Sequence, residues 1–210
     1  PDMMVVATGI AMAFKMRAEA RCALSFFGDG PTSRGDWHEA MNWAALYELP
    51  AIFVLENNQF AYSTPTSKQY VEDPVKRAAA YGMDGVSVDG NDVTAVFEAT
   101  WAAREKALAG GGPTLIEART LRMHGHGAHD DAGYIPTELL EDWRGRDPIE
   151  RLAGRFEADE LAAVEAEVKA EIDAAVEAAR ATPMPDPATA TTGVYCSGPP
   201  EVLGEGAAPW

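Results

Sequence analysis

At 210 residues and 22.5 kDa, with 47% hydrophobic residues, the chain is long enough for one substantial core, and we expect one domain followed by a tail. A formal net charge of −16 argues against nucleic acid and anionic membranes as partners. Cys22 and Cys196 are the only cysteines and show no C-x-x-C spacing, so no disulfide framework is expected and a reducing cytoplasm fits.

The chain opens at Pro1 inside an apolar run without a preceding cap, which we read as the start of a fragment whose N-terminal part is missing. The run from Met3 to Phe14 is too short to span a bilayer and has no basic segment before it. Within it, Val5 to Met16 mixes Gly9 and other small residues with large apolar ones, predicting a helix packed closely on a sheet. Arg17 to Arg21 gives a polar turn. Cys22 to Phe27 has no helical period and stops at Gly28-Asp29-Gly30, the pattern of a buried strand closed by a loop. Asp36, with Glu39 three residues on, predicts a capped helix whose N-terminal N–H groups face back towards the Gly-Asp-Gly turn, a place for a phosphate. Ala51 to Leu55 is a second strand, ending in Glu56-Asn57-Asn58.

Two neighbouring parallel strands thus bring Asp29 and the asparagine pair to one sheet edge, where open α/β sheets bind ligands. A carboxylate, an amide oxygen and backbone carbonyls are hard donors suited to Mg²⁺ or Ca²⁺, with Mg²⁺ favoured where phosphate oxygens share the ion.

Further along, Asp73-Pro74 starts a helix that ends near Gly82. Val86 to Val88 is a short strand, residues 89 to 92 a turn, and Val93 to Leu108 a helix with Val93, Val96, Phe97 and Trp101 on one face. Gly110 to Pro113 ends it, and Thr114 to Leu121 forms another strand. This alternation predicts an α/β fold, a mostly parallel sheet flanked by helices. The loop Arg122 to Pro136 follows, rich in histidine and aspartate. Asp147-Pro148 with Glu150 marks another helix start. Leu161, Val164, Val168, Ile172 and Val176 recur at helical spacing and predict one long amphipathic helix, a C-terminal helical extension of the domain. We place the domain at residues 1–181 and an extended tail at 182–210, with Tyr195 and Trp210 as anchors on a partner.

Gly28-Asp29-Gly30 and Asn57-Asn58, with residues 31 to 56 between them, resemble the thiamine diphosphate signature. The intervening SRGDWHEAMNWAALYELPAIFVLENN is similar to the α subunit of the 2-oxo acid dehydrogenase decarboxylating component, of the pyruvate, branched-chain and acetoin types, and the likeness runs from Val6 to Ala181. The resemblance implies the pyrophosphate-type thiamine fold. It also implies Mg²⁺ bound by Asp29, the Asn58 side chain and the Phe60 carbonyl, with Gly30 and the backbone around Pro31 on the diphosphate. His126, the second histidine of the family's His-Gly-His pattern, would lie beside the cofactor and serve in proton transfer and in reductive acylation of a lipoyl group, for which imidazole is apt. The implied reaction is oxidative decarboxylation of a 2-oxo acid, with acyl transfer to the lipoyl domain of an acyltransferase component. The implied assembly is an α₂β₂ heterotetramer whose β subunit supplies the glutamate that activates the cofactor.

The sequence departs from the family at several points. Gly127 stands where mitochondrial members carry a phosphorylated serine, Phe60 replaces a tyrosine, and Tyr134-Ile135-Pro136 stands where many members have Tyr-Arg. The family's upstream Tyr-Arg pair for the diphosphate has no counterpart in these residues. Competing readings are an acetoin dehydrogenase α subunit and a non-catalytic scaffold that keeps the fold without the cofactor. A zinc site on His124, His126, His129 and Asp130 is a third, but its spacing departs from the H-x-H-x-D-H order of the metallo-β-lactamase-like hydrolases. For His124, His129, Asp130 and Asp131 the expected role is to hold the loop through hydrogen bonds.

Overall fold

A computed structural model describes residues 2–193. Its centre is a four-stranded parallel sheet in the order β1-β2-β6-β5, with β1 Ala23–Gly28, β2 Ala51–Asn57, β5 Asp84–Asp89 and β6 Thr114–Arg119. All four strands run the same way, and the register sets Gly28 beside Glu56 and Arg119 beside both Asn57 and Asp89. The ends of all four therefore lie along one edge. A two-stranded hairpin, β3 Phe60–Ala61 and β4 Thr64–Pro65, stands beyond that edge.

Every residue of β2 from Ala51 to Leu55 is buried, as a central strand covered on both faces requires. Phe53, Leu55 and Leu115 of one face pack against α1 Asp2–Met16 and α2 Gly35–Leu46 through Met4, Trp37 and Met41. On the other face Ile52, Val54 and Ile116 meet α3 Val93–Leu108 through Ala99 and Ala103. The apolar face read from the sequence of α3 is not the one that packs: Phe97 and Trp101 are exposed, and their rings stack on each other 6.0 Å apart. Alanines let this helix lie close to the branched side chains of the strands, which larger residues would hold off.

Other expectations shift locally. α2 starts at Gly35 with Arg34 as its N-cap, so Asp36 and Glu39 form no capping box, and Arg34 instead pairs with the Asp36 carboxylate at 3.0 Å. The stretch Pro74–Tyr81 is a 3₁₀ helix, and Asp73 forms an ion pair with Arg119 rather than a cap. Gly9 is exposed with no atom near its Cα face, so close packing of α1 falls to Ala7, Thr8 and Ala11. Cys22 lies just before β1 and is half-buried. Asp147 does cap α5, Pro148–Ala153, accepting from the backbone N–H of Ile149 and Glu150.

Two short helices complete the first of two compact units, Pro1–Gly154: α4 Thr137–Arg144 and α5. The second unit, Arg155–Trp210, contains the predicted long helix as α6, Ala158–Ala181, opened by a reciprocal Glu157/Glu160 capping box. The compact division thus comes at residue 154, ahead of the position 181 expected from composition. Tyr195, Cys196 and Trp210 lie outside the described residues. No described helix is long and apolar enough to cross a membrane.

Candidate functional site

Asp29 follows β1 and is 1% exposed. Its carbonyl accepts from the Thr32 N–H and hydroxyl at 3.0 and 2.7 Å, which locks the 3₁₀ turn Gly30–Ser33 with Pro31 near its start. Burial pushes the Asp29 carboxyl above its ordinary pKa, against hydrogen bonds from the Gln69 amide and from the backbone N–H groups of Asn58, Asp29 and Gly30 that pull it down. One of its oxygens, Oδ2, has no hydrogen-bond partner. A buried carboxylate left short of a partner is costly, and a cation on that oxygen would both satisfy it and reverse the pKa shift.

The turn after β2 carries the next two predicted donors. Asn58 Oδ1 accepts from the Phe60 N–H at 3.1 Å, and Gln59 between them takes a left-handed φ of +70°. The turn is tied to the chain after β6, because Asn57 and Asn58 carbonyls accept from the Thr120 and Arg122 N–H groups at 2.9 and 3.2 Å. Asn57 points away from Asn58, its amide donating to Glu117 Oε1 at 2.6 Å and to the Tyr70 hydroxyl at 3.1 Å. The Phe60 carbonyl accepts from Arg122 Nη1 at 3.2 Å, leaving one of its two lone pairs for another partner. Gly30 closes the arrangement: a Cβ there would sit 3.0 Å from the Ala61 Cβ on the hairpin, so a side chain would push the two turns apart.

The histidine loop is built around Asp130. Its Oδ2 accepts from the Tyr134 hydroxyl and the His126 N–H, both at 2.7 Å, and its Oδ1 accepts from the Ala132 N–H at 3.0 Å. These bonds, the Tyr134 hydroxyl first, hold the carboxyl down to about 2. The loop wraps so tightly that a Cβ on Gly125 would fall 1.9 Å from the Asp130 carbonyl oxygen, so only glycine fits between His124 and His126. The His126 ring is exposed and lies against Tyr62, centroids 5.1 Å apart, with its Nδ1 3.4 Å from Arg122 Nη1. His129 Nε2 meets the Tyr62 hydroxyl at 3.3 Å. His126 and His129 thus share Tyr62 as a neighbour, and among the described residues no three His, Cys, Asp or Glu side chains gather as metal ligands. The Asp29 cluster is of another kind, with one carboxylate, one amide and one carbonyl.

Because the Asp130 carboxyl is depressed, its hold on the loop is complete above its ordinary value of 3.8 and is lost as pH falls through about 2. The chemical shift of the His126 amide proton should report this step in an acid titration, and in an Asp130→Asn protein the step should be absent.

Three residues that tie the site together were not singled out by the sequence. Arg122 is the main one: besides Phe60, it donates to the carbonyls of Tyr62 and His124 at 2.5 and 3.1 Å and to the Tyr134 hydroxyl at 2.5 Å. It joins the turn after β2 to the histidine loop. Tyr62 lies against His126 and His129, and Gln69 stands close enough to Asp29 to pull its carboxyl down. Only Arg122 left a sequence signal, as a charge directly between a strand and the His-Gly-His run.

The family model for the dehydrogenase E1 component matches residues 2–188. The pyruvate dehydrogenase E1 component subunit alpha of Staphylococcus aureus (strain COL) is 44% identical over 153 residues, 70% of this chain and 40% of that protein. The protein of the same name from Bacillus subtilis (strain 168) is 42% identical over 167 residues, 77% of this chain and 44% of that one. The chain thus spans less than half the length of these curated relatives. Among solved structures, a transketolase mutant from Pichia stipitis aligns with a TM-score of 0.49 and 19% identity over 68% of this chain and 26% of that one. With the family model matching nearly the whole of its length, this chain belongs to the dehydrogenase E1 component family.

Proposed function

We propose that this chain is the cofactor-binding part of the α subunit of a thiamine-diphosphate-dependent 2-oxo acid dehydrogenase, working in the cytoplasm. The observation that carries this reading is Asp29: buried at the end of β1, raised in pKa and with one oxygen unpartnered, beside the neighbouring strand β2 whose turn carries Asn58. Asp29, the Asn58 side chain and the Phe60 carbonyl would hold Mg²⁺, and the backbone of Gly30 and Pro31 would face the diphosphate. The donor set fits a hard ion that shares its coordination with phosphate oxygens. When bound, thiamine diphosphate supplies the carbon nucleophile and electron sink that decarboxylation of a 2-oxo acid requires. The chain's own part is to hold the cation and diphosphate and to present His126, on its tied loop, for proton transfer and acyl transfer to a lipoyl group.

Pyruvate is the substrate favoured, because the relatives reported above carry that name. A scaffold without cofactor would have no use for the unpartnered Asp29 oxygen. The partners proposed are a β subunit in an α₂β₂ heterotetramer and the lipoyl domain of the acyltransferase component. Calorimetric titration of the full-length parent, co-expressed with its β-type subunit, should show thiamine diphosphate binding that requires Mg²⁺ and disappears in Asp29→Ala. A panel of 2-oxo acids should then give the highest kcat/KM with pyruvate. Binding that ignores both Mg²⁺ and Asp29 would overturn the assignment.

A further inference from the structure

Behind the turn that presents Asn58 and Phe60 lies a buried polar group that none of the chemistry above uses. Glu117 sits in the middle of β6, fully buried, and its Oε1 takes one amide hydrogen of Asn57 at 2.6 Å. The other amide hydrogen goes to the Tyr70 hydroxyl at 3.1 Å, and Asn57 Oδ1 accepts from the Gln59 N–H at 3.2 Å. Both donors of the Asn57 amide are thus committed and its oxygen occupied, so this side chain has one orientation, and the turn above it is bolted to the sheet. The residue before Tyr70 is Gln69, whose amide donates to the Thr64 carbonyl at 3.2 Å and lies close enough to Asp29 to pull its carboxyl down. One dipeptide therefore stands next to both the turn after β1 and the turn after β2, the two places from which the cation donors come.

The ring of Tyr70 is itself fixed. The Arg77 guanidinium lies over it at 5.7 Å and over the buried Trp37 ring at 5.5 Å. Burial, with the carboxyls of Asp29 and Glu117 nearby, pushes the Tyr70 hydroxyl up to about 12 against a hydrogen bond with Thr66, so it keeps its proton at any working pH.

We propose that Tyr70, backed by Glu117, is a positioning residue for the cation site, acting through Asn57 to set the turn that carries Asn58 and Phe60 against Asp29. This rests on the cofactor reading given above. Neither residue touches the ion; each fixes a neighbour that aims a donor.

The test uses the full-length complex with its β-type subunit, titrated with Mg²⁺ at fixed thiamine diphosphate and followed by calorimetry. Tyr70→Phe keeps the ring under Arg77 and removes only the hydroxyl. It should raise the half-saturating Mg²⁺ concentration about tenfold, as loss of one buried hydrogen bond implies, with kcat at saturating Mg²⁺ within about twofold of wild type. Glu117→Gln still offers an oxygen to the Asn57 amide and should keep near-wild-type Mg²⁺ affinity, whereas Glu117→Leu should lose affinity at least as far as Tyr70→Phe. A Tyr70→Phe complex that binds Mg²⁺ like wild type, whatever its melting temperature, would show that the hydroxyl serves the fold alone and overturn the proposal. The controls separate the two levels. If wild type binds and Asp29→Ala does not, the cofactor reading stands and the variants decide the positioning role; if wild type itself shows no Mg²⁺-dependent binding, both fall.

Discussion

Replacing Asp29 with asparagine is expected to abolish Mg²⁺-dependent thiamine diphosphate binding and, in the same protein, to raise the melting temperature of the cofactor-free state. The two effects have one cause. Burial holds the Asp29 carboxyl above its ordinary pKa of 3.8 in the folded protein, while the unfolded chain ionises at the ordinary value. As pH rises through 3.8 the unfolded state gives up its proton first, so stability falls; the loss is complete once pH has passed the folded value. Below 3.8 both states carry the proton and Asp29 contributes nothing. Asparagine keeps the shape and removes the charge, so at neutral pH the variant should gain on the order of 1 kcal/mol, about 2–4 °C in a domain of this size. At pH 3.5 the gain should vanish. Adding Mg²⁺ and thiamine diphosphate should reverse the order, because only wild type gains the mass-action term. Thermal scans at two pH values, with and without cofactor, check all four corners. A variant less stable than wild type at neutral pH without cofactor would mean that the unpartnered oxygen is not a strained, waiting ligand.

How far the sequence led can be judged at this same site. The alternation of apolar runs with glycine-bounded turns was enough to set two neighbouring parallel strands side by side and to bring Asp29 and the Asn57-Asn58 pair to one edge, while the order of the four strands and the place of Phe60 were not legible in it. Side-chain periodicity failed on α3, where Phe97 and Trp101 suggested the buried face and Ala99 and Ala103 provide it. A helix packed on a flat sheet is chosen by closeness of approach, which hydrophobicity alone does not encode. The Asp36 and Glu39 pair has the spacing of a capping box, yet the 3₁₀ turn Gly30–Ser33 brings the helix start forward to Gly35. The links between turns were illegible for a different reason. Gln69, Tyr70 and Arg122 stand beside Asp29, Asn57 and Phe60 respectively, the last two pairs 13 and 62 residues apart in the chain, and no local pattern marks such a contact.

Arg122 is where those long-range bonds converge, and Arg122→Met is expected to cost far more activity than stability. Methionine keeps the length and packing of the stem but none of the donors. Four acceptors lose a partner: the carbonyls of Phe60, Tyr62 and His124, and the Tyr134 hydroxyl. Most of these lie in half-exposed loops where water can replace the lost bonds, so the melting temperature should fall by only a few degrees, about 1–2 kcal/mol. The geometric effect is larger. Arg122 is the tie between the turn that presents Phe60 and the loop that presents His126, whose Nδ1 stands 3.4 Å from the guanidinium. Without it the Asp130 network still shapes the loop internally but no longer sets it against the turn that presents Phe60. A displacement of about 1 Å at a catalytic group typically costs about a hundredfold, so kcat with a lipoyl acceptor should drop by about that factor. Cofactor affinity should change by less than tenfold, since Asp29 and Gly30 are untouched. Arg122→Lys should not restore activity, because an ammonium cannot span acceptors on two loops as the planar fork does. Steady-state kinetics of the three proteins, beside calorimetry for cofactor binding, decide the matter. Full activity in Arg122→Lys would make Arg122 a point charge rather than a bridge, and an unchanged kcat in Arg122→Met would mean that His126 finds its position without it.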